Sequence, residues 1–457
     1  MTEVERLARF VDQRQFADIS ADARQQLKIR VLDTIGVAIG ALDAPPILAV
    51  SRLLDELGGR PLSTLIGGGK TAPDRAAFFN GALSRYLDFM DSYLAVSETN
   101  HPSDNIGAVL AAAEMRRASG ADFLTALAVA YQVHTRLSDA APVRDKGFDH
   151  TTQGAYAAAA GAAKALHLPP GQIANAIAIS GTANVALRVT RTGALSHWKG
   201  LAYPHVAMAA THAALLAAHG ITGPAEVFEG NKGFKETISG PFEIDWLSED
   251  LERVRLTILK KHNAEIHAQS ALDAALDVRS RPSFSIDKVR EVRLKTFRVA
   301  YQIIGGGEEG DKRTVRSKEE ADHSLPYMLA VALLDGEVQP EQYAPQRIAA
   351  RDVQGLLRRV VITPDQALSA RFPQRMPAEL EVELNDGSVL RAARDDYHGF
   401  HTHPFDWTTA RQKFDRVTRA FLTKAAADRI ADVIAGLDER PVSDLTASLA
   451  AVPRRRS

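Results

Sequence analysis

The stretch GAYAAAAGAAKAL at residues 154–166 constrains the fold more than any other part of the chain. Its small side chains let neighbouring helices approach closely, as the inner helices of a large bundle must. Residues 20 to about 240 continue in the same manner. ISADARQQLKIRVLDTIGVAIGAL is apolar at helical spacing, with Ser20 as N-cap. TAPDRAAFFNGALSRYLDFMD predicts a second helix, and 103–119, 121–138, 152–167 and 170–184 predict four more. No fixed-period repeat is present, which disfavours a solenoid.

Near residue 280 the pattern changes. FSIDKVREVRLKTFRVAYQI alternates and predicts a strand, LRRVVITPD predicts a second, and AELEVELNDGSVLRAARD predicts a hairpin turning at Asp386-Gly387. SKEEADHSLPYMLAVALLDG between them predicts a helix, and helical patterning returns after HGFHTHPFDW. The expected fold is mainly α: a large helical domain in two sequence segments, 1–265 and 405–457, interrupted by a smaller α+β domain at 266–404. A discontinuous domain of this kind tends to place its site at the junction.

Composition removes several functions. The 457 residues carry a net charge of −1, which argues against nucleic acid as a partner. The compact basic run RRR at 454–456 reads as a frayed tail. No cysteine is present, so thiol nucleophiles, cysteine zinc sites and cysteine-held iron–sulfur clusters are excluded. The N-terminus has no apolar core of a signal peptide. LAYPHVAMAATHAALLAA comes nearest to a membrane span, but two histidines and a proline mark it as a buried core helix. The expectation is a cytoplasmic protein with no membrane partner.

Polar clusters at helix mouths carry the candidate chemistry. In RYLDFMDSYLAVSETNHPSDN, Asp88 and Asp91 are spaced to neighbour each other at a helix end, followed by Ser92, His101 and Ser103. Helix N-termini favour anions, although Ser103 or Asp104 could simply be a cap. His150 precedes another apolar helix, with Asp149 or Thr151 as possible caps. Lys199 lies between Trp198 and Gly200, either reaching for water or serving as a fixed cation. LKKHNAEIHAQSALDAAL contains Lys260, Lys261, His262 and His267; in ADHSLPYMLAVALLDG, Asp322, His323, Ser324 and Tyr327 open an apolar helix. His205, His212 and His219 recur every seven residues, about 10 Å apart along a helix, and cannot share a metal. HTHP at 401–404 lacks a third ligand nearby, and no HExxH occurs. Together the clusters predict a cationic pocket with acid/base groups for a small polyanion, and no metal.

LDTIGVAIGA, NGALSRYLDFMDSY, HPSDNIGAVLAAAE, HWKG, AEIHAQSALDAA and ADHSLPYMLAVALLDG, in that order, resemble the MmgE/PrpD (2-methylcitrate dehydratase) family along nearly the whole chain. Relatives of that family include cis-aconitate decarboxylase and iminodisuccinate epimerase. The resemblance implies an all-helical large domain, a smaller α+β lid, a homodimer, and cofactor-free chemistry on a citrate- or aconitate-like acid. It places Asp88, Ser92, His101, His150, Lys199, Lys260 and Tyr327 at the family's pocket positions. His101, His150, Lys199 and Lys260 are then the expected catalytic residues. Asp88, Ser92, Tyr327, Lys261 and His267 are the expected substrate contacts. Ser92 stands where Thr is frequent, and KKHNAEIH lacks a common Phe-Pro, which leaves Lys260 and Lys261 as alternatives. The SETNHPSD loop resembles the dehydratase branch; a decarboxylase, an epimerase or an inactive binding protein are the alternatives.

Overall fold

A computed structural model of the chain describes residues 1–453, so the basic run at 454–456 lies outside the described residues. The fold is mainly α with a small sheet. Two compact units are present. The first comprises residues up to Thr190, Gly200–Ile258 and the segment from Phe405 on; the second comprises Arg191–Lys199 and Leu259–Pro404.

In the helical unit Ser20 caps Ala21–Gly40, its side chain accepting from Ala23 N at 3.2 Å. Ser119 and Asp122 form a capping box at Gly120–Ala140. Helices Pro73–Tyr86 and Ile106–Arg116 pack together, as do Gly120–Ala140 with Thr151–Ala165 and Thr151–Ala165 with Pro170–Ala183. Closeness here depends on missing side chains. A Cβ on Gly161 would sit 2.8 Å from Val109 Cγ2 and 2.9 Å from Ala130 Cβ, and one on Gly154 would sit 2.4 Å from the Tyr203 ring. Trp407–Thr418 packs on Ala21–Gly40, so the C-terminal segment completes this core.

The second unit is a four-stranded sheet in the order Val360–Pro364, Val289–Thr296, Ala378–Leu384, Val389–Arg394. The first pair is parallel and the others are antiparallel. Alternation explains its two faces. Val289, Val292, Leu294, Leu380 and Val382 are buried in a core shared with Gln269–Arg279 and Leu325–Asp335. Arg293, Glu381, Glu383 and Arg391 pair across strands on the other face.

Several expectations need correction. FRVAYQI is not strand: after Thr296 the chain forms helix Arg298–Ile304, because its apolar residues pack at helical spacing against the sheet end. The helix expected over TAPDRAAFFNGALSRYLDFMD stops at Tyr86, short of DFMD. Asp88 therefore does not share a helix end with Asp91; it adopts a left-handed backbone, φ 52°, in the loop beyond. Asp322, His323 and Ser324 occupy a break between Lys318–Ala321 and Leu325–Asp335, where Ser324 caps the second helix. Trp198–Ala218 is long and apolar enough to cross a membrane by length and composition, contrary to expectation, since its histidines scarcely lower the average of an Ala- and Leu-rich helix; 56% of that window is buried. His205 and His212 on this helix, and His219 just past its end, are all exposed.

Candidate active site

The helical unit assembles its site from the loop at 87–105. Helix Pro73–Tyr86 ends and Asp88 turns the chain with its left-handed backbone, which Asp tolerates better than most residues. Arg85 donates from Nη1 to Asp88 Oδ1 at 3.1 Å, and its Nε lies 3.8 Å from Asp104 Oδ2. Ser92 and Ile258 exchange main-chain hydrogen bonds, both 2.8 Å. A two-residue hairpin, Tyr93–Leu94 against Thr99–Asn100, folds the chain back and brings His101 beside Ser92. His101 Nδ1 lies 2.7 Å from the Asp91 carbonyl and 3.1 Å from Ser92 Oγ. A carbonyl can only accept, so Nδ1 carries the hydrogen and Nε2 is the basic nitrogen of the neutral ring.

His150 occupies the N-cap position of Thr151–Ala165, but its side chain does not cap. Asp149 makes the local turn instead, its Oδ1 accepting from Thr151 N at 3.2 Å. The same carboxylate lies 3.7 Å from His150 Nε2 and 3.8 Å from Arg188 Nη1. The rings of His101 and His150 are 5.5 Å apart between centroids and near perpendicular. Behind His150 stand His134 at 6.3 Å and Tyr203 at 6.2 Å, both roughly parallel to it. Asn105 orders this wall: it accepts from Tyr203 Oη at 2.8 Å, while its Nδ2 donates to Pro102 O and lies 3.4 Å from His134 Nδ1. Burial pulls the pKa of His134 down to about 3, so it is neutral at physiological pH and cannot be an acid there.

In the second unit, Lys199 Nζ donates to Asp322 Oδ1 at 2.7 Å and lies 2.9 Å from His323 Nδ1. Lys318 Nζ flanks the other carboxylate oxygen at 2.7 Å. Burial works to raise the Asp322 pKa, but Lys199, Lys318 and His323 outweigh it and hold the group ionised, well below the usual carboxylate range. Glu265 forms a second cluster. Its carboxylate accepts from His267 N at 2.8 Å and pairs with His267 Nδ1 at 2.8 Å. Burial opposes the charge, yet His267, His323 and Lys260 bring the Glu265 pKa down to about 2. His267 itself stands beside the stacked rings of Phe297 and Phe372, 5.7 Å from each.

The expectation of a simply cationic pocket needs qualification, since two buried carboxylates accompany the lysines here. Lys260 is fully buried, whereas the half-exposed Lys261 donates to Asp273 at 2.8 Å beside His262. Tyr327 is buried and its hydroxyl donates to the Gln342 carbonyl. Glu265, two residues before His267, and His134 and Tyr203 join these clusters without having stood out in the sequence. Their available signal was a polar or aromatic residue on the buried face of an Ala-rich helix or at its mouth.

Glu265 supports a test. Its folded pKa lies below the ordinary glutamate range, so its contribution to stability is present above that range and lost as pH falls toward 2. Glu265→Gln is expected to be less stable than wild type at pH 7 by about 2 kcal/mol. The gap should narrow as pH drops from about 4.5 toward 2. Urea midpoints at pH 7 and pH 3 check this; a gap of constant size would show that the carboxylate's charge is not what matters.

Comparison with known proteins places the chain. It matches the MmgE/PrpD N-terminal domain over residues 5–247 and the MmgE/PrpD C-terminal domain over residues 262–439. The chain belongs to the MmgE/PrpD family. It is 28% identical to a 2-methylcitrate dehydratase of Cupriavidus necator, across 80% of this chain and 79% of that protein. It is 27% identical to 2-methylcitrate dehydratase of Escherichia coli strain K12, across 80% of each. An alkylcitrate dehydratase of a fungal species is 26% identical across 90% of this chain and 86% of its own length. These relatives are hydro-lyases by name, and the chain is an enzyme of the carbon–oxygen lyase class.

Proposed function

We propose that this enzyme dehydrates 2-methylcitrate, or a close citrate-like tricarboxylate, to the corresponding cis-aconitate, using its own side chains and no cofactor. The observation that carries this reading is the pair of buried imidazoles, His101 and His150, 5.5 Å apart. Dehydration needs a base at one carbon and an acid at the next. One imidazole takes the proton beside a carboxylate, and the C–H electron pair becomes the new C=C bond. The C–O bond on the neighbouring carbon breaks, and the other ring, as imidazolium, protonates the departing hydroxide to water. Proton exchange with solvent resets both rings.

Removing that proton builds charge on the adjacent carboxylate, which fixed cations stabilise. Lys199 and Lys260 are assigned that role, and Asp88 and Ser92 are assigned substrate contacts. The names of the relatives, all built on alkylated citrates, support a small polycarboxylate substrate. The absence of cysteine supports side-chain chemistry over an iron–sulfur Lewis acid.

Incubating the purified chain with a panel of tricarboxylates, before and after exhaustive chelation, and following products by NMR tests the proposal. The expected result is an olefinic product formed with loss of water at an unchanged rate after chelation. Carbon dioxide release, inversion without water loss, or activity restored by one specific metal would each overturn it.

A homodimer is part of the same reading. Support comes from the apolar helix Trp198–Ala218, much of whose window one chain leaves uncovered, and from exposed Val185, Leu187 and Val189 just before it. Light scattering at micromolar concentration should give twice the chain mass; a monomer rejects the dimer.

A further inference from the structure

We propose that Asp91 is the positioning residue of His101, with Tyr131 as its anchor. The inference rests on the reading of His101 as a proton-transfer group. Asp91 makes three contacts, two within the loop and one to a helix. Its main-chain carbonyl is the acceptor for His101 Nδ1 at 2.7 Å. Its Oδ1 accepts from Ser103 N, two residues beyond the histidine, at 3.1 Å. Its Oδ2 accepts from Tyr131 Oη at 2.8 Å, on helix Gly120–Ala140. Both Asp91 and Tyr131 are fully buried.

One residue therefore selects the tautomer of the ring through its main chain and fixes that main chain through its side chain. Tyr131 belongs to the long helix, so the carboxylate ties a hairpin loop to a rigid element. The charged groups that act on this carboxylate are Arg30 and Asp33, both from Ala21–Gly40. Arg30 is itself held by Thr257, at 2.7 Å to the carbonyl and 3.0 Å to Oγ1. If Asp91 loses a donor, its peptide can rotate, the Nδ1 acceptor drifts, and the ring can carry its hydrogen on Nε2. With His101 as the base, that places a hydrogen where the reaction needs a lone pair. Partners that orient a metal-binding imidazole matter by about 10–10²-fold, and a loss of the same order is expected here.

The test uses the full chain with ¹⁵N-labelled histidine, the His101 ring being assigned by its disappearance in His101→Gln. Wild type should show the Nδ1–H tautomer. Tyr131→Phe and Asp91→Asn should each shift the ring toward a tautomer mixture and lower kcat about 10–10²-fold with KM nearly unchanged. Asp91→Asn could fail to fold, in which case Tyr131→Phe decides. A folded Tyr131→Phe with a wild-type His101 spectrum and wild-type kcat would overturn the proposal. Turnover retained in His101→Gln would instead sink the catalytic reading, while the spectrum still reports whether Asp91 and Tyr131 set the ring.

Discussion

Lys199→Met is expected to lower turnover by about 10²–10³-fold, the range for losing one preorganised electrostatic donor. The side chain is buried and its ammonium is fixed by Asp322 and His323 at 2.7 and 2.9 Å, so it is a rigid charge rather than a solvated one. Methionine keeps most of the stem and removes the charge. Lys318 remains on Asp322, so the buried carboxylate keeps a partner and the fold should survive with a lower Tm. Added Mg²⁺, Mn²⁺ or Fe²⁺ should not restore activity. Turnover near wild type would show that this lysine serves Asp322 and not the substrate.

His101→Ala and His150→Ala should each reduce turnover by roughly 10²-fold or more, as loss of a positioned acid or base does. The structure shows both rings nearly buried in a cluster with His134 and Tyr203, so alanine also leaves a cavity. His101→Asn and His150→Asn fill more of that space and provide the control. Near-wild-type turnover in either alanine variant, in steady-state assays on folded protein, removes that residue from the acid/base pair.

Helices were legible because Ala-rich periodicity and capping residues act locally: Ser20, Ser119 and Pro170 mark helix starts that local chemistry alone dictates. The polar clusters that hold His101, His150, Lys199 and Lys260 at the mouths of apolar helices were legible as clusters. What each one touches was not. Glu265 lies two residues from His267 and still gave no sign of pairing, because a buried carboxylate and an exposed one read alike in sequence. Asp322 reaches Lys199 across 123 positions, a distance that no local pattern spans. The strand expected through FRVAYQI failed for a related reason: apolar residues at 299, 300, 303 and 304 satisfy a helix as well as a sheet edge, and tertiary packing decided.

Gly154 bears on how this enzyme could diverge. The Tyr203 ring occupies the space a single methyl group would need there, and Tyr203 shares Asn105 with His134 and backs His150. A position with no reactive atom thus sets the clearance behind a proposed catalytic ring. In a library of random variants, that glycine should tolerate less than many charged surface residues. Where substitutions do persist at 154, compensating changes should concentrate at 203, so the two positions would drift as a pair and retune the acid/base geometry without touching a catalytic group.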